Sequence, residues 1–200
     1  MKRREFFKLG VQKAAEAALE VAGQKLPSDT INHIRPPYAL VEPKFLEACT
    51  RCDDCLEACP HNVIFRLGGD RGLLAAGTPA LDLLRVGCRM CEDWPCVAVC
   101  ETGALSFPET KEGESLPNAV LAQVTINVET CLPYAGPECG ACAGSCPVPG
   151  ALNWENGLRP SIEQSVCTGC ALCREACITD PKSVDIAVLD LQRQPSKSPA

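Results

Sequence analysis

Apolar positions along this 200-residue chain fall into short runs, after one longer amphipathic stretch at the start. Over residues 5–24 alanine dominates among Glu and Lys with no proline, which predicts a helix. Val11, Ala14, Ala15, Ala18, Leu19 and Ala22 lie near one face of it, and Lys13, Glu16 and Glu20 interrupt any continuous apolar segment. Pro27, Ser28 and Asp29 end the helix, and Pro36-Pro37 marks a second, extended linker. Further on the pattern shortens to strand length. Val124-Thr125-Ile126-Asn127-Val128 alternates and is β-branched, the clearest strand in the chain. Weaker phrases of the same kind contain Val63-Ile64-Phe65, Ala104-Leu105-Ser106-Phe107, Ala151-Leu152 and Val184-Asp185-Ile186. Each reads as a turn leading into a short strand, with a returning strand before the next phrase. Glycines and prolines between them (Gly68-Gly69, Gly72, Gly77, Pro108, Gly113, Pro117, Asn156-Gly157) predict surface turns. The tail from Gln192 predicts disorder.

Cysteine precedes every one of those strand phrases. Sixteen cysteines fall into four groups of four. Cys49, Cys52, Cys55 and Cys59 have the spacing C-x2-C-x2-C-x3-C, followed by Pro60. In Cys88, Cys91, Cys96 and Cys100 the middle gap widens to four. Cys131, Cys139, Cys142 and Cys146 open with a gap of seven and are followed by Pro147; Cys167, Cys170, Cys173 and Cys177 return to the first spacing. This is the ligand run of bacterial-type ferredoxins, written four times, and it predicts four 4Fe-4S clusters held by all sixteen thiolates. Two-residue gaps let three sulfurs of one short loop converge on a compact cluster, with backbone N–H groups turned inward toward its charge. The fourth cysteine points away and serves a neighbouring cluster, and the following proline stops the chain from continuing as helix. Disulfides suit small secreted chains, and cysteines two residues apart do not easily bridge each other. Structural zinc favours paired C-x2-C units across a longer loop, often with histidine, and His33 and His61 sit at no such spacing. A redox dithiol needs one reactive pair.

Composition narrows the picture. Aromatics are only 4% of residues, so clusters must supply much of the interior, and folding should depend on their insertion. A formal charge of −6 and a pI near 5.0 argue against nucleic acid, and each oxidised cluster with four thiolates adds about −2. An acidic surface suits docking to basic patches on redox partners. No run of apolar residues is long enough to form a transmembrane segment. The expected fold is α+β: tandem bacterial-type ferredoxin units with small β-hairpins and short helices, preceded by the N-terminal helix. Residues 1–38 form helix and linker, 39–110 the first unit, 111–190 the second and 191–200 the tail. Motifs could pair as neighbours, first with second and third with fourth, or nested, second with third inside first with fourth; the tandem reading takes the former. Trp94, in the widened loop of the second group, reads as a packed lid, His61 as a surface histidine and Trp154 as core filler beside the third loop.

Several phrases are more specific than the spacing. Ile34-Arg35-Pro36-Pro37, Phe45-Leu46-Glu47-Ala48-Cys49-Thr50-Arg51-Cys52, Gly77-Thr78-Pro79, Cys88-Arg89-Met90-Cys91-Glu92-Asp93-Trp94-Pro95-Cys96 and Cys131-Leu132-Pro133-Tyr134 resemble the NapF, NapG and MauM group of ferredoxin-type proteins. The resemblance covers residues 34–188. Such proteins accompany periplasmic nitrate reductase and methylamine dehydrogenase systems. The resemblance implies an electron-transfer protein passing electrons between a reduced donor and a partner oxidoreductase, without substrate chemistry of its own. The alternative is an assembly or maturation factor for a partner redox enzyme. Arg3-Arg4-Glu5-Phe6-Phe7-Lys8-Leu9 looks like the recognition motif of a twin-arginine export signal, but the apolar segment that export requires is broken by charge. The expected location is therefore cytoplasmic, with the helix docking a partner, and a periplasmic location through a degenerate signal is the alternative.

Overall fold

The computed structural model describes residues 33–111 and 113–189. The helix expected over residues 5–24 and the tail from Gln192 lie outside the described residues. Within them the helices are short and keep to the cysteine motifs. Glu42–Ala48 (α1), with Pro43 in its first turn, leads into the first motif; Asp54–Glu57 (α2) carries Cys55. Pro95–Ala98 (α3) carries Cys96, Leu132–Ala135 (α4) fills the long gap of the third motif, and Leu172–Ala176 (α5) carries Cys173. Apart from α1, these are single turns that aim one cysteine and stop.

Among the described residues six strands form three two-stranded antiparallel sheets. Ile64–Arg66 (β1) pairs with Pro79–Leu81 (β2), Phe65 opposite Ala80. Ala122–Ile126 (β3) pairs with Val184–Val188 (β6), Val124 opposite Ile186. Leu152–Glu155 (β4) pairs with Arg159–Ile162 (β5), Trp154 opposite Pro160. The strands after the first, third and fourth motifs stand where their apolar phrases placed them. The phrase after the second differs: it makes a single bridge, Leu105 to Ala39, and β3 takes its partner from the far end of the chain. Pro108 and Pro117 in the connection lack the N–H that a hairpin there would need. The strand expected at residues 124–128 starts and ends two residues earlier. Asn127 ends it, its side chain accepting from the Glu129 amide at 3.1 Å to open a turn, which leaves Val128 exposed. Trp154 is half-buried on β4 rather than inside the core.

The order of pairing occurs twice. The segment entering the first motif bridges the segment leaving the second (Ala39, Leu105), with β1–β2 between; β3, entering the third motif, pairs with β6, leaving the fourth, with β4–β5 between. Phe45, Val63, Leu81, Leu83, Leu105, Leu121 and Ala171 share one buried cluster that also holds Cys55 and Cys96. Val124 and Val184 pack with Cys173 in another. Sulfur thus occupies positions that larger side chains fill elsewhere.

A charged group anchors α1. Arg35 stacks its guanidinium 4.4 Å from the centroid of the fully buried Phe45 ring. Its Nη2 and Nε donate to Glu42 at 2.5 and 2.9 Å, and its Nη1 donates to Thr78 Oγ1 and the Pro79 carbonyl at 2.8 and 2.7 Å. The Nε2 of buried His33 is 3.2 Å from Glu42 as well. Burial alone would raise the Glu42 pKa; the bonds and charges of Arg35 and His33 outweigh it and hold the carboxyl at about 2. A carboxyl depressed on folding contributes stability above its unfolded pKa of about 4.3, lost as pH falls toward the folded value. Glu42→Gln should therefore lower the unfolding free energy at pH 7 by about 2 kcal/mol. Thermal unfolding of both proteins should show the gap closing as pH drops below about 4.3.

Candidate functional site

Two cavities are walled by cysteine. The first is lined by Cys59, Cys88, Cys91 and Cys96 under Pro37 and Trp94. The second is lined by Cys146, Cys167, Cys170 and Cys173 with Val124 and Thr168. In each, three thiols come from one motif and the fourth is the last cysteine of the motif before it. Electrostatic neighbours sort the other eight the same way. Cys55 feels the charges of Cys49, Cys100 and Cys52, and Cys142 those of Cys131, Cys177 and Cys139. Thiols of the first motif thus stand with those of the second, and thiols of the third with those of the fourth. Cys52 is exposed, and the other fifteen are half-buried or buried.

The loops are shaped to hold charge. Arg51 and Asp53 flank Cys52 with φ of +62° and +74°, and Gly169 and Ala171 flank Cys170 with +71° and +64°. In the second motif Met90 precedes Cys91 at +52° and Trp94 opens α3 at +45°. A non-glycine residue in this region costs about 1 kcal/mol, and alternating left- and right-handed residues turn successive N–H groups to one side, forming an anion-binding nest. The widened gap of the second motif is closed by Trp94, set edge-on to Tyr38 with 5.0 Å between centroids. That is the lid expected of it. The long gap of the third motif is taken up by α4 and held against β5 by the Tyr134 hydroxyl, which donates to the Pro160 carbonyl at 3.0 Å. His61 is exposed, on the rim of the first cavity.

Burial, then the charge of neighbouring thiols, pushes Cys55, Cys96 and Cys173 up to about 12 and Cys88 up to about 11. Four such thiolates cannot share a site at neutral pH without a compensating cation. Iron would supply that charge. In the second cavity the buried Thr168 hydroxyl stands beside the Cys170 thiol, one of that cavity's four sulfurs. Donor set, nest and this hydroxyl all fit an iron–sulfur cluster.

Other sulfurs already have donors. The Leu105 amide reaches Cys100 Sγ at 3.4 Å and Thr102 Oγ1 lies 3.8 Å from it; Thr179 Oγ1 is 3.2 Å from Cys177 Sγ. At Cys177 burial would raise the pKa, but the Thr179 and Ser183 bonds and the Lys182 charge bring it below the usual thiol value. Threonine two residues after the last cysteine recurs in the second and fourth motifs, a signal in the sequence that spacing analysis passed over. Thr168 left no such signal.

Comparison with known proteins finds relatives along most of the chain. The ferredoxin-type protein NapG of Escherichia coli (strain K12) is 33% identical over 172 residues, 80% of this chain and 72% of the relative. The methylamine utilization ferredoxin-type protein MauM of Methylophilus methylotrophus is 33% identical over 204 aligned positions, 95% of this chain and 88% of the relative. The ferredoxin-type protein NapF of Escherichia coli (strain K12) is 31% identical over 150 residues, covering 73% and 80%. No family model matches the chain, and no solved structure is significantly similar.

Arg51 fastens the first loop to its surroundings. Its guanidinium donates to the carbonyls of Ala76, Leu74 and Cys49 at 3.0, 2.9 and 3.3 Å. Arg51→Ala should free residues 72–77, speeding their amide hydrogen exchange about tenfold while exchange in β3 and β6 stays unchanged.

Proposed function

The chain belongs to the ferredoxin-type proteins of the NapG, MauM and NapF group, and from that membership we propose that it is a double ferredoxin carrying four 4Fe-4S clusters. It passes electrons between a reduced donor and a partner oxidoreductase and has no substrate site of its own. The observation that carries this reading is the interlocking of the thiols: every set of four takes its last member from the neighbouring motif, so each pair of motifs closes only around two clusters. When bound, such a cluster takes up or gives back one electron.

The chain's own residues do the rest. Cys49, Cys52, Cys55 and Cys100 hold one cluster, and Cys59, Cys88, Cys91 and Cys96 the next. Cys131, Cys139, Cys142 and Cys177 hold a third, and Cys146, Cys167, Cys170 and Cys173 a fourth. The left-handed residues of the loops turn amides toward the sulfurs, and Trp94 and Pro37 keep water from one site. Thr102, Thr168 and Thr179 place hydroxyls beside sulfur, which favours the reduced, more negative state. The net charge of −6 suits association with a basic surface on a redox partner. Among the described residues no helix is long and apolar enough to cross a membrane.

Anaerobically purified holoprotein should show reversible reduction in an EPR-monitored redox titration, with iron and sulfide matching four clusters. Clusters that cannot be reduced reversibly would end the electron-carrier reading. Cys55→Ser and Cys100→Ser should abolish the same EPR signal and lower iron by about a quarter, although the two residues belong to different motifs. Loss of different signals would break the ligand assignment. Thr168→Val should keep the iron and lower one reduction potential, leaving the others in place.

A further inference from the structure

The two interlocked pairs of motifs meet along a seam with a cysteine on each side. The Cys88 amide donates to the Cys170 carbonyl at 2.8 Å. Next to it the Gly87 amide donates to Glu175 Oε2 at 2.8 Å, and Arg89 Nη2 donates to Glu175 Oε1 at 2.7 Å. Arg174 Nε reaches across to the Leu84 carbonyl at 3.2 Å. The backbones are as close as they can be: a Cβ on Gly87 would stand 2.8 Å from the Leu172 amide nitrogen and 2.9 Å from its Cα. Cys88 lines the first cavity and Cys170 the second. The thiol charge of Cys170 is also among those felt by Cys88. Among the described residues no hydrogen bond crosses this seam from Cys49, Cys52, Cys55 or Cys100, or from Cys131, Cys139, Cys142 or Cys177.

We infer that the four sites form one series, in which electrons cross between the halves only at Cys88 and Cys170. The order is the Cys49/Cys52/Cys55/Cys100 site, then Cys59/Cys88/Cys91/Cys96, then Cys146/Cys167/Cys170/Cys173, then Cys131/Cys139/Cys142/Cys177. The third motif, not the fourth, thus supplies most of the far terminus, which the order of the motifs along the chain does not show. This rests on the four-cluster reading and adds a route to it. The path runs from the Cys88 sulfur through Cβ, Cα and the amide nitrogen, over one hydrogen bond to the Cys170 carbonyl, and on through Cα and Cβ to the second sulfur. Each crossing oxidises the Cys88 site by one electron and reduces the Cys170 site by one. No bond forms or breaks and no proton moves. The reduced donor protein supplies the electron at one terminus and an oxidised partner removes it at the other, in either direction.

Spin coupling tests the order without any turnover. Holoprotein carrying Cys52→Ser and Cys139→Ser keeps only the inner sites and, reduced with dithionite, should give the broadened EPR signal of two neighbouring spins. Cys91→Ser with Cys173→Ser keeps only the terminal sites and should give sharp, uncoupled signals. Coupled termini, or an uncoupled inner pair, would overturn the series. Iron that does not fall by about half in each double variant would count against the four-cluster reading instead. Glu175→Gln, in a chain that retains every cysteine, removes a negative charge from the seam and provides an independent check. Two of the four potentials should rise and two should hold, with Glu175→Asp restoring the original values. A uniform shift, or none, would overturn the series even where the cysteine variants fail to accumulate.

Discussion

The cost of burying charge on sulfur governs this molecule. Burial first, and neighbouring thiols second, drive Cys55, Cys96 and Cys173 to about 12, so the bare chain holds them as neutral thiols that are poor ligands and poor glue. The helices that aim these cysteines are single turns without side-chain caps, and the sheets have two strands each. Elements that small are not stable alone. A positively charged inorganic core resolves both problems, neutralising the sulfurs and tying distant loops to one object. The protein part is then free to be thin, with one fully buried aromatic side chain, Phe45, among the largest buried groups.

Much of this was legible in the sequence because the constraint itself is local. Spacing alone assigned cysteines to loops, alternation located β3 to within two residues, and the short apolar phrases located β1, β4 and β6. Long-range features were harder to read. The partner of β3 is β6, about sixty residues away, and nothing in Ala104-Leu105-Ser106-Phe107 warned that it would make one bridge and stop. Pairing of neighbouring motifs was one of two arrangements that the spacing allowed, and the packing that favours it is long-range: α2 lies against α3, and β3 joins β6 around the third and fourth motifs. Thr179 sat in plain view, yet a hydroxyl beside sulfur has no periodicity to betray it.

The two halves solve one problem with different materials. Around the first and second motifs, Tyr38, Trp94 and Phe107 stack over the widened loop, and the Tyr38 hydroxyl donates to the Pro117 carbonyl at 2.8 Å. Around the third and fourth the cover is lighter: Tyr134 under the Arg159 guanidinium, and Lys182 donating to the carbonyls of Glu175 and Cys177 at 3.1 and 2.7 Å. Aromatic cover excludes water, whereas a lysine beside a sulfur adds positive charge. Both act on the same quantity, the ease of adding an electron, from opposite directions of dielectric and field.

Cys52 alone among the sixteen thiols is exposed. An opening wide enough for a partner's electron is also wide enough for dioxygen, because neither needs more than a short approach to a sulfur near the surface. Corrosion of such a protein would begin at that end and work inward, with the fifteen better-shielded cysteines behind it acting as a reserve. The first loop is thus the point at which oxidation of the sulfurs would start.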